Sequence, residues 1–153
     1  MEWKRYSNLN ILISVWMEAF TMPEFNLILD YYELLNLHKT LLEAKFHTNP
    51  ENELVAGSPF VANIYIQVRD LLIQSEKGNQ WKDWFQLSNR QDRKNQAIFM
   101  MKNDKRWGSA TIDEKSRIAS NYLAPFIFDD EELKNIVAEI DHSFIEGESF
   151  YVY

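Results

Sequence analysis

The sequence predicts an all-α protein, a single-domain bundle of six or seven helices spanning residues 1–153. Three observations lead there. Apolar residues recur at spacings of three and four along most of the chain, the helical period. Short polar residues followed three positions later by Glu or Gln mark repeated helix starts, and the 4 Gly and 4 Pro fall mostly at the joints between these stretches. A chain of this length is one ordinary domain, able to bury roughly 68 to 70% of its unfolded surface without a disulfide or metal staple.

The elements follow in order. Leu9, Leu12, Ile13, Trp16 and Phe20 share a helical face, although Ile11, Ile13, Val15 and Met17 also alternate as in a strand. Thr21 and Glu24 have the spacing of a capping box, with Pro23 in the first turn. They predict a long helix to about Phe46 with its stripe at Leu27, Ile28, Tyr31, Leu34, Leu35, His38, Leu41 and Leu42. His38, on that stripe, reads as a core or interface residue rather than a ligand. The polar stretch 47–52 around Pro50 is a loop, because the residue before proline is steered out of the helical region.

Ser58 and Pro59 open a further helix that should bury Phe60, Val61, Ile64, Val68, Leu71 and Leu72 and close at Gly78. A short aromatic turn of helix with Trp81, Trp84 and Phe85 comes next. Ser88 and Gln91 predict a helix to about Arg106, ended at Gly108; Thr111 and Glu114 predict another, finishing near Pro125, with Ile112, Ile118, Ala119, Tyr122 and Leu123 on its apolar face. Asp129 caps the last helix, which carries Leu133, Ile136, Val137, Ile140, Phe144 and Ile145 and stops at Gly147. Ser149 to Tyr153 is short, aromatic and β-branched, as in a terminal strand or an extended arm.

Charge is distributed unevenly along this frame. Residues 90–106 carry a net +4, whereas Asp129 to Tyr153 carry eight carboxylates against Lys134, a net −7 that equals the charge of the whole chain. The apolar residues interleaved with those carboxylates make the segment an ordered acidic surface rather than a disordered acidic tail. Asp129 to Glu132 have a structural reason to be acidic, as cap and first turn beside the positive end of the helix dipole. Glu139, Asp141, Glu146 and Glu148, leading into Phe150, Tyr151 and Tyr153, have none, and are the expected partner-binding residues.

The composition argues against catalysis. With 0 Cys there is no thiolate nucleophile, thiolate zinc site or disulfide. Neither a phosphate-binding glycine loop nor a Gly-x-Ser-x-Gly elbow occurs. Glu139 and His142 have the spacing that ligates iron in di-iron bundles, but such sites need a second pair and none is present. No cofactor, metal or catalytic residue is therefore expected.

Lys4 and Arg5 ahead of Ile11 to Met17 imitate a secretory signal poorly, since Glu2 and Glu18 flank the run, and no apolar stretch reaches a membrane span. The expected setting is cytoplasmic. The expected function is that of a non-enzymatic acidic protein that docks and inhibits a basic protein, a toxin or nuclease domain. In composition alone this profile fits bacterial immunity proteins and antitoxins. The alternative is a helical nucleic-acid-associated regulator using Arg93, Lys94, Lys102, Lys105, Arg106 and Trp107, with basic groups for phosphates and a ring for base stacking. The overall −7 opposes direct nucleic-acid binding. Self-association of the basic helix with the acidic face of a second copy is left open.

Overall fold

The computed structural model describes residues 25–50 and 52–145. They form a compact all-α domain with six α-helices, two 3-10 turns and no strand among the described residues. The helices are α1 (Tyr31–Lys45), α2 (Pro59–Gln74), α3 (Gly78–Trp84), α4 (Gln91–Lys102), α5 (Ile112–Leu123) and α6 (Asp130–Ile145). The predicted helix or strand at Leu9 to Phe20, the Thr21–Glu24 box, the stop at Gly147 and the terminal strand at Ser149 to Tyr153 lie outside the described residues.

Local capping chemistry sets most helix starts. At α5 the predicted box is complete: Thr111 Oγ1 accepts from Glu114 N at 3.3 Å, and Glu114 Oε2 accepts from Thr111 N at 2.7 Å. Ser58 Oγ accepts from Val61 N at 3.3 Å with Pro59 in the first turn of α2, and Asp129 Oδ1 accepts from Glu132 N at 2.8 Å ahead of α6. The start of α1 differs from expectation. Asp30 and Glu33 form the box that opens it, bonded reciprocally at 2.9 and 2.8 Å, so residues 25–30 are not helical and Leu27 and Ile28 stand exposed. The helix that packs therefore begins at a box nine residues beyond the one expected.

Three other expectations are corrected. Gly78 does not close α2, which ends at Gln74; it begins α3. A Cβ there would lie 2.0 Å from the Ile73 carbonyl oxygen, so the tight turn between α2 and α3 requires glycine. Ser88 caps nothing: it sits in a 3-10 turn, Leu87–Asn89, and Arg90 precedes α4 without a side-chain cap. Finally, α4 stops at Lys102 rather than Arg106. Asp104 there draws in the Arg106 backbone N at 2.9 Å and its guanidinium, turning the chain into a second 3-10 turn, Trp107–Ser109.

The core is a single cluster. α1 packs on α2 and α2 on α3, while α4, α5 and α6 pack together. Tyr65, Val68 and Leu72 of α2 meet Phe85, Leu87, Met101, Trp107, Leu123, Ile136 and Ile140 in it. The two halves are tied by polar bonds as well, with Ile127 N donating to Phe85 O at 2.8 Å and Arg69 donating to the Pro125 carbonyl at 3.0 Å. His38 is buried as expected, ringed by Tyr65, Trp81, Trp84 and Phe85 at centroid distances of 4.9 to 5.7 Å, with the Tyr65 hydroxyl 3.0 Å from Nδ1. Phe60, Ile64 and Leu71 were expected to be buried with α2, yet they are exposed, as are Ile112 on α5 and Phe144 and Ile145 on α6.

Candidate binding surface

The acidic helix α6 buries Ile136, Val137, Ile140 and Ser143, which orients the rest of its surface. Its carboxylates then fall into two groups. Glu132 pairs with Lys94 of α4 at 3.0 Å, both side chains being three-quarters buried or more. Asp141 accepts from Lys115 Nζ at 2.7 Å and from Trp107 Nε1 at 2.9 Å through the same oxygen. Asp129 is used as the cap of α6, and Glu132 and Asp141 hold the helix to the bundle. Asp130, Glu131 and Glu139 are exposed and make no ion pair among the described residues.

Asp141 is thus placed in the fold, where a partner would reach it only in part. Trp107 is 1% exposed, and its indole N–H has this carboxylate as its acceptor. Asp141→Ala is expected to destabilise the protein by about 1–3 kcal/mol, because a buried donor loses its acceptor and Lys115 its counter-charge. Urea unfolding would show it as a lower midpoint, with the near-UV signal of Trp107 altered in the native baseline. Of the other expected partner-binding residues, Glu139 lies on the solvent side of α6, while Glu146, Glu148, Phe150, Tyr151 and Tyr153 lie outside the described residues.

The basic segment has largely been absorbed by the same architecture. Lys94 belongs to Glu132, and Arg106 to Asp104 at 2.6 Å. Arg93 lies over the Phe46 ring at 5.7 Å and donates to Gln96 at 3.2 Å. Trp107, buried against Lys115 and Asp141, has no face to offer a base. Lys102 and Lys105 remain at the end of α4, too few to track a phosphate backbone.

Asp104 is the centre of a small polar knot beside this segment. Burial pushes its carboxyl up, but hydrogen bonds from the Arg106 side chain and backbone and from the Tyr122 hydroxyl outweigh this and hold it below its ordinary range. Tyr122 in turn is pushed up to about 12, by burial first and then by the Asp104 charge. Gly57 lies against this knot, where a Cβ would meet the Tyr122 ring at 2.7 Å.

A feature that sequence reasoning missed is Lys45. It is 1% exposed, and its Nζ donates to the carbonyls of Ala56 at 2.6 Å and Asn121 at 2.8 Å. Burial lowers its pKa to about 7. The signal was present in the spacing, since Lys45 lies seven residues, two helical turns, beyond His38 on the stripe that faces the core.

No arrangement of three or more His, Asp or Glu side chains among the described residues is suited to hold a metal ion. An open depression of about 320 Å³ is lined by Pro59, Ser116, Arg117, Ser120 and Asn121, with Arg117 as its charged group. Among the described residues no helix is long and apolar enough to cross a membrane. No protein-family model, no curated protein and no solved structure matches this chain.

Proposed function

We propose that this is a non-enzymatic acidic binding protein whose outer α6 surface, continuing toward Glu146 and Glu148, docks a basic protein. The observation that carries this reading is the division of the α6 carboxylates. Those near the core are consumed by Lys94, Lys115 and Trp107, whereas Asp130, Glu131 and Glu139 stand in water with Lys134 as the neighbouring cation. Folding accounts for the first group; the helix dipole favours Asp130 and Glu131 in the first turn of α6 without burying them, and Glu139 is left for solvation or a partner. Exposed carboxylates gain little from the fold, but they steer a positively charged partner and raise its association rate. The occupation of Lys94 and Arg106 and the burial of Trp107 weigh against the nucleic-acid reading.

The finer form of the proposal is an inhibitor of the immunity or antitoxin kind, acting in a bacterial cytoplasm on a basic toxin or nuclease domain. It rests on the size, the charge of −7 and the acidic surface. The test is affinity capture from a host extract on immobilised protein, at low and high salt. Asp130→Lys, Glu131→Lys and Glu139→Lys combined are compared with an equal charge change at exposed Glu43, Glu53 and Glu76.

The expected result is a basic protein retained at low salt, released at high salt and lost with the α6 reversal alone. Its association rate should fall by about tenfold or more on that reversal. Retention indifferent to the α6 reversal and to salt, or retention of no basic protein, would sink the proposal.

A further inference from the structure

α2 carries two apolar stripes. Ala62, Tyr65, Val68 and Leu72 face the core, while Phe60, Ile64 and Leu71 lie roughly a third of a turn away and are 79, 49 and 52% exposed. Three large apolar side chains on one helix face, separate from the core face, are a costly surface to leave in water. Their placement relative to the start of α1 limits what covers them. The first residue of α1, Tyr31, accepts a hydrogen bond from Trp81 Nε1 at 3.4 Å, and Trp81 belongs to α3, which begins four residues after α2 ends. The chain therefore enters α1 at the Leu71 end of α2.

Upstream of that point are the non-helical residues 25–30, with Phe25, Leu27 and Ile28 exposed, and then the sequence of residues 1–24. We propose that the segment Leu9 to Phe20 of this same chain docks on the Phe60–Ile64–Leu71 stripe. Its apolar set, Leu9, Leu12, Ile13, Trp16 and Phe20, has the matching periodicity. Twelve residues of helix span about 18 Å, and the stripe from Phe60 to Leu71 spans roughly 17 Å. The ten residues between Phe20 and Tyr31, which at about 3.3 Å each would reach roughly 33 Å if extended, are enough chain to turn back along α2.

The register this implies puts Phe20 beside Leu71 and Ile13 beside Ile64. A second copy is the competing occupant, and tethering decides against it. A segment joined by a short linker is present at an effective concentration in the millimolar range, well above that of free protein in a cell.

The absence of cysteine makes a direct test clean. In the full chain, Ile13→Cys with Ile64→Cys is mildly oxidised beside a control, Ile13→Cys with Lys39→Cys on the exposed side of α1. The expected result is a disulfide within one chain for the first pair and little for the second. Hydrogen exchange on a separate variant, Ile64→Asp with Leu71→Asp, should show residues 9–20 losing protection about tenfold or more while α6 keeps its own. Disulfides between chains through residue 64 would give the stripe to a second copy and overturn the proposal. Equal cross-linking of both pairs, or protection unchanged in the Asp variant, would overturn it too.

Discussion

The stability of this protein is expected to rise by roughly 5 kcal/mol between pH 7 and pH 10.5, through Lys45 alone. The amine is sealed from water and bonded to two neutral carbonyls, with no carboxylate among the described residues to balance its charge. Burial accordingly brings its pKa from 10.5 to about 7, and each unit is worth about 1.4 kcal/mol. Between those values the unfolded chain holds a proton that the folded chain does not, so stability increases with pH across that window and is flat below it.

Tyr65 and Tyr122 close the window from above. Their folded pKa values are raised from 10.0, so the stability linked to them is intact below pH 10 and is lost only at higher pH. Urea unfolding from pH 6.5 to pH 10 would measure the rise. Lys45→Met, which keeps the stem and removes the titrating group, should flatten it. Parallel curves for the two proteins would refute the assignment to Lys45.

Acidification should remove about 3 kcal/mol between pH 6.5 and pH 4, this time through His38. Burial among Tyr65, Trp81, Trp84 and Phe85, with a smaller contribution from the Lys39 charge, lowers its pKa from 6.5 to about 4. The unfolded chain takes up a proton through that range while the folded one resists it, so stability is full above pH 6.5 and falls as pH drops toward 4. Carboxylates contribute lower down, Glu114 below 4.5 and Asp104 below 3.8, since both are held beneath their ordinary values.

A midpoint series in urea at pH 7, 6, 5 and 4.5 would follow this loss, together with the native aromatic signal. His38→Leu should lose far less over the same range, even though its starting stability is lower for want of the Tyr65 contact. An acid transition of unchanged size in that variant would place the effect elsewhere.

Much of this domain is local in origin and could be read from the chain. The Thr111–Glu114 box, the Ser58–Pro59 start and the Asp129 cap each satisfy backbone donors with residues three positions away. Their geometry depends on little else. The burial of His38 followed from the stripe it shares with Leu34 and Leu41.

The candidate surface was legible only as charge. That Asp141 belongs to Lys115 and Trp107, and Glu132 to Lys94, depends on residues 26 to 38 positions apart. No spacing rule reaches across helices in that way, so a carboxylate of the fold and one left to solvent look alike in sequence.

By itself, then, the sequence determined the helical class, three of the helix starts and the acidic character of the last helix, because capping and periodicity act within one or two turns. Only the tertiary structure decided that α1 opened at Asp30, which of two apolar stripes on α2 became the core, and that Lys45 would be buried with no carboxylate among the described residues beside it. Each of those is a choice between locally equivalent options, and it is made by which surface a neighbouring helix covers.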